Sequence, residues 1–153
     1  MREMSRFVCR VSVFVDSACK SRSTKPSTNQ ITTHSGVERD STVLVPGDII
    51  NLSESQSNFF PADMFLLSGD TIVNESMLTG ESVPVSKFPI KDEDLGRWKD
   101  SKDVLGDTAK SFLYAGTRVV RVRGSLAADG TSGRPALALV VRTGEFYTLI
   151  LRT

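Results

Sequence analysis

Residues 43 to 87 read VLVPGDIINLSESQSNFFPADMFLLSGDTIVNESMLTGESVPVSK, and this stretch decides the fold. Val43–Val45 and Ile49–Leu52 flank Pro46-Gly47. That pair favours a tight turn, because proline pre-sets its own φ and glycine accepts a positive φ at no steric cost. Met64–Leu67 and Thr71–Val73 flank a second turn, Ser68-Gly69-Asp70. Short apolar and β-branched runs, closely spaced with turn residues between them, predict an all-β sandwich or barrel.

The same signal continues on both sides. Upstream, Phe7, Cys9, Val11, Val13 and Val15 alternate with Val8, Arg10, Ser12 and Phe14, the period-two pattern of a strand. Downstream, Ser111–Val122 and Ala136–Val141 supply two more strands, separated by the turn-rich segment 128–133. Residues 20 to 42 are rich in Ser and Thr, with Pro26, Asn29 and Gly36, and read as a long polar loop in which His34 is solvated. Residues 91 to 111 are highly charged and lack a clear apolar stripe. They read as a loop with one short helix around Lys99–Leu105. The expected fold class is mainly β, a distorted jelly roll or β-sandwich with little helix. A terminal strand spans 1–19, the loop 20–42, the core 43–144 and a tail 145–153.

Bulk properties narrow the function. The chain has 153 residues, enough for one domain with a core of its own. Its 19 basic residues nearly cancel its 18 acidic ones, so no bulk charge draws it to nucleic acid or to an anionic membrane. Arg118, Arg121 and Arg123 recur in a strand-like stretch without interleaved aromatics and read as a solvated strand face. Cys9 and Cys19 form no CxxC, and His34 is the only histidine, which argues against a zinc site and a Cys–His nucleophile. Free thiols are the default, with one disulfide left open. The longest strongly apolar run, Ala136–Val141, is far short of the ~20 residues that span a bilayer. Arg10 interrupts the apolar stretch Phe7–Val15, which argues against a signal peptide.

The ordered series Val45-Pro46-Gly47-Asp48, Pro61-Ala62-Asp63, Ser68-Gly69-Asp70, Asn74-Glu75-Ser76, Leu78-Thr79-Gly80-Glu81-Ser82, Pro84-Val85 and Lys87 resembles the actuator domain of P-type ATPases. Ser111-Phe112-Leu113-Tyr114-Ala115-Gly116-Thr117 and Ala138-Leu139-Val140-Val141-Arg142-Thr143-Gly144 are similar to two later strands of that family. Arg2-Glu3-Met4-Ser5-Arg6-Phe7 and Asn74-Glu75-Ser76 look most like the type-five subgroup, the branch with polyamine and cation pumps. The tail from Glu145 to Thr153 departs from the family pattern, as a fragment or a divergent terminus would.

The resemblance implies a role for each residue of the Thr79-Gly80-Glu81-Ser82 loop. P-type pumps form an aspartyl-phosphate on a separate domain, and the actuator domain swings over to help water hydrolyse it. Glu81 matches the carboxylate that orients the water and takes its proton, as a general base must. Gly80 lets the loop tip come close to a phosphate. Thr79 offers a hydroxyl to fix the loop or the water, and Ser82 matches a similar supporting role. Asp48, Asp63, Asp70 and Glu75 each follow a turn signal or end a strand, so turn and cap bonding explain them better than a metal site. Lys87 has two readings, a salt-bridge partner or a solvated lysine.

No phosphate-acceptor Asp-Lys-Thr-Gly-Thr and no Gly-rich nucleotide loop occurs in the chain. The resemblance therefore implies ATP and Mg2+ for the complete pump and no cofactor held here. It implies partnership with the phosphorylation, nucleotide-binding and membrane domains of the same pump, at the cytosolic face of an endomembrane. The competing readings are a stand-alone β-rich interaction or regulatory module, and an independent small hydrolase using Glu81.

Overall fold

The computed structural model describes residues 9–14, 36–55, 57–101, 103–104, 106–125 and 133–143. Among these, nine strands pair antiparallel in two sheets. They are β1 (Arg10–Phe14), β2 (Val37–Asp40), β3 (Ile49–Asn51), β4 (Asp63–Ser68), β5 (Asp70–Asn74), β6 (Val85–Lys87), β7 (Phe112–Leu113), β8 (Arg118–Arg123) and β9 (Leu137–Arg142). The larger sheet runs β2-β1-β3-β9-β4-β7 and the smaller β6-β5-β8. Two α-helices, α1 (Ser76–Thr79) and α2 (Asp92–Ser101), and two 3-10 turns, Ser41–Val43 and Gly106–Lys110, complete the described structure. The mainly β expectation holds, with open sheets rather than a closed barrel.

The alternation in the strands builds the core. Val11 and Val13 of β1, Ile50 of β3, Met64 and Leu66 of β4, and Ala138 and Val140 of β9 meet Val73 of β5, and Val119 and Val122 of β8 close over them. The two sheets thus face each other across one apolar layer, because each strand offers every second side chain to it. Strand β4 is apolar on both faces. Phe65 points away from that layer and packs edge-on against Phe112 of β7, centroids 4.9 Å apart, and against Trp98 of α2, 5.1 Å apart. A strand covered on both sides needs a continuous apolar run, and Met64–Leu67 is one.

The structure corrects several sequence expectations. The helix placed at Lys99–Leu105 runs Asp92–Ser101 instead. Its apolar stripe is only Leu95 and Trp98, three residues apart, which is easily lost among charges yet enough to cover Phe65 and Phe112. Asp92, Glu93 and Asp94 sit in its first turn and Lys99 in its last, the arrangement the helix dipole favours. The strand expected over Ser111–Val122 is two strands. The chain turns at Ala115-Gly116, where Asp63 accepts the Ala115 N–H at 2.9 Å and the Gly116 N–H reaches the Phe60 carbonyl at 2.8 Å. Strand β7 belongs to the larger sheet and β8 to the smaller. The polar loop ends earlier than expected, since Val37–Asp40 pairs with β1 from Val13↔Val37 to Arg10↔Asp40. Val43–Val45 is no strand; Asp48 accepts the Val45 N–H at 3.0 Å and closes the Pro46-Gly47 turn. Residues 20–35 with His34, Cys19, most of the 128–133 turn and the tail 145–153 lie outside the described residues.

Candidate functional site

Between β5 and β6 the chain makes an excursion that carries Thr79-Gly80-Glu81-Ser82. Strands β5 and β6 pair at Thr71↔Lys87, Ile72↔Ser86 and Val73↔Val85, so the excursion leaves and returns at one edge of the smaller sheet. The Asn74 side chain accepts the Ser76 N–H at 2.9 Å and turns the chain out of the strand. The Glu75 carbonyl then accepts the N–H of Leu78 at 2.8 Å and of Thr79 at 3.0 Å, forming the single turn of α1.

Gly80 ends α1 in the left-handed region, φ 76°, with its N–H on the Ser76 carbonyl at 2.9 Å. A side chain at Gly80 would touch nothing, so the backbone angle and not crowding is what requires glycine there. The Thr79 hydroxyl donates to the Glu75 carbonyl at 3.3 Å and accepts the Glu81 N–H at 3.2 Å. It thereby ties the backbone of Glu81 to the foot of the helix. Glu81 itself projects into solvent, one residue past the left-handed turn, with Ser82 exposed beside it.

The tip is apolar as well as acidic. Met77 is 89% exposed, and Leu78, Val83 and Val85 are exposed too. Its base is the opposite. Glu75 and Lys87 are 8% and 3% exposed, and Lys87 Nζ lies 2.7 Å from Glu75 Oε1. Lys87 Nζ also donates to the Ala109 carbonyl at 2.9 Å and stands 5.7 Å from the centre of the Tyr114 ring. Of the two readings of Lys87, the structure selects the salt bridge. Glu75 is corrected: it makes no side-chain cap bond, and its carboxylate goes to Lys87. A signal for this was present, because Glu75 continues the period-two series Thr71, Val73 whose members are buried along β5.

The remaining acids do not converge. Asp48 closes its turn, and Asp63 binds the Ala115 N–H. Burial pushes the Asp63 carboxyl above its usual value, against the pull of that N–H and of the Arg142 charge. Among the described residues, no three His, Cys, Asp or Glu side chains meet as metal ligands. Arg118, Arg121 and Arg123 are exposed on β8, as expected of a solvated strand face. No helix among the described residues is long and apolar enough to cross a membrane.

A family model, the P-type ATPase actuator domain, matches residues 22–146. The vacuolar cation-transporting ATPase YPK9 of Saccharomyces cerevisiae is 44% identical over 147 residues, covering 94% of this chain and 8% of that protein. The probable cation-transporting ATPase 13A5 of Homo sapiens is 41% identical over 109 residues, covering 70% of the chain and 8% of that protein. The probable cation-transporting ATPase 13A4 of Gallus gallus is 44% identical over 88 residues, covering 57% and 7%. The chain thus spans less than a tenth of the length of these relatives. With the loop, the sandwich beneath it and these matches in agreement, the chain belongs to the P-type ATPase actuator-domain family, in its type-five branch.

Proposed function

We propose that this domain promotes hydrolysis of an aspartyl-phosphate in an ATP-driven, cation-transporting membrane pump. The observation that carries the reading is the placement of Glu81. It is an exposed carboxylate on a tip that stands clear of the sandwich, fixed at its backbone by Thr79 and Gly80. In the hydrolysis, water attacks phosphorus in line, the new P–O bond forms, and the bond to the aspartyl oxygen breaks. Aspartate carboxylate and inorganic phosphate leave, and the proton lost by water goes to the Glu81 carboxylate. Glu81 orients the water, Thr79 holds the loop, Gly80 permits close approach, and Ser82 supports the tip.

A carboxylate on a separate body discharges the phosphoenzyme only when that body swings in, which couples hydrolysis to a transport step. ATP and Mg2+ act in the whole pump, at its phosphorylation and nucleotide-binding domains. Those domains and the membrane domain are the partners on this reading. The cargo class is a cation, with polyamines the finer assignment suggested by Asn74-Glu75-Ser76. The vacuolar name of the yeast relative supports an endomembrane pump with this domain on the cytosolic face.

The test is a chimera in which residues 9–143 replace the matching segment of the yeast pump. Glu81→Gln in that chimera is expected to form the phosphoenzyme normally and to lose phosphate about 100-fold more slowly. A phosphoenzyme that decays at the unaltered rate removes the role given to Glu81.

A further inference from the structure

The Glu81 tip stands on an ion pair buried at its neck. Glu75 is the last residue before α1, and Lys87, opposite Thr71, is the last residue of β6, so the pair ties the point where the 75–84 excursion leaves the sheet to the far end of the strand on which it returns. The Glu75 backbone already anchors the tip, since its carbonyl takes the Leu78 and Thr79 N–H groups and the Thr79 hydroxyl. Its side chain meets Lys87 at the same point of the chain. Lys87 carries the constraint on to the Ala109 carbonyl and the Tyr114 ring, outside the excursion. The ammonium lies 2.7 Å from Glu75 Oε1 and donates to the Ala109 carbonyl at 2.9 Å.

Stability alone is a poor explanation of this pair. Burying two charges carries a large desolvation penalty, and apolar residues of similar size often hold a fold as well or better. What a charge pair adds is a single preferred geometry at one place. Here that place is the foot of the segment whose tip bears Glu81.

We propose that Glu75 and Lys87 are positioning residues that hold the Glu81 tip at the angle required for attack on the acyl phosphate. This rests on the dephosphorylation reading above. Neither residue touches the reacting atoms; both act through the Glu75 carbonyl, the Thr79 hydroxyl and the Glu81 backbone.

The experiment uses Glu75→Gln, Lys87→Met and the double variant, in the 153-residue chain and in the yeast chimera. In the chain, the amides of Leu78, Thr79 and Gly80 are expected to exchange hydrogen about 10-fold faster in Glu75→Gln, while the Val140 amide in the larger sheet is unchanged. In the chimera, the double variant leaves no buried charge unpaired and is expected to melt close to wild type. Its phosphoenzyme should form normally and decay about 10-fold more slowly. A double variant that melts like wild type and also dephosphorylates like wild type overturns the proposal, as does unchanged exchange at the three tip amides. If Lys87→Met does not fold, Glu75→Gln, which keeps shape and volume, decides by the same readouts. The Glu81→Gln chimera run alongside separates the two readings: normal decay there ends the dephosphorylation role, and amide exchange still decides the neck.

Discussion

Asp63 shows how one side chain can serve the fold at a cost. It sits where β4 begins, and its Oδ1 secures the Ala115 N–H that turns the chain from β7 towards β8. Burial raises its pKa above the usual 3.8, outweighing the N–H and the Arg142 charge, which lower it. A raised carboxyl means the folded state holds the proton more tightly than the unfolded chain. The stability it contributes is full below the unfolded value and is lost as pH rises through the folded one. Asparagine keeps the acceptor oxygen and does not ionise. Asp63→Asn should therefore gain stability relative to wild type as pH rises from about 3 to about 7. Urea unfolding of both proteins across that range checks the sign, and a difference independent of pH would refute the account.

Helix α2 and the aromatic pair beneath it form a unit separate from the inter-sheet core. Trp98 is the only tryptophan in the chain and meets the edge of Phe65. The rest of the helix is charged, so its hold on the larger sheet depends on Trp98, Leu95 and their neighbours. Trp98→Ala should cost about 3 kcal/mol, the low end for a large aromatic, because the residue lies at the rim of its cluster. A loss below about 1 kcal/mol in denaturant titration would show that α2 is held by something else. The excursion between β5 and β6 behaves in the opposite way: its tip makes few contacts with the sandwich, and its order comes from the hydrogen bonds at its foot. Met77 and Leu78 stand free of the core, as the proposed meeting of this tip with another domain requires.

At the scale of the whole molecule, the critical passage is Gly69, where β4 of the larger sheet hands over to β5 of the smaller. Its φ is 80°, and a Cβ there would run into the Arg123 carbonyl and come within 2.8 Å of the Ala136 Cβ. Arg123 ends β8 in one sheet, and Ala136 precedes β9 in the other, so the collision lies where the two sheets join. Gly80 has nearly the same φ with nothing nearby. The pair of substitutions separates backbone strain from crowding. Gly80→Ala should cost about 1 kcal/mol, and Gly69→Ala at least about 2 kcal/mol more. Equal costs, measured by thermal or denaturant unfolding, would mean the sheets give way at that joint.

Much of this protein was legible in the chain itself. Strand positions at β4, β5 and β9 followed from short apolar runs bounded by turn residues, because strand-forming runs and tight turns are governed by nearest neighbours. The Thr79-Gly80-Glu81-Ser82 loop was legible as a pattern, and its left-handed glycine follows from residue chemistry alone. Other features were decided only in three dimensions. Ser111–Val122 looks like one strand, and its division between two sheets depends on Asp63 and Phe60, each more than fifty residues from its partner in sequence. Helix α2 exists because Phe65 and Phe112 need a cover, which a local apolar count does not register. Lys87 could be solvated or paired until folding buried it opposite Glu75. Local backbone preference and periodicity act over a few residues, whereas burial and charge pairing depend on which distant segments share a wall, and only the packed fold sets that.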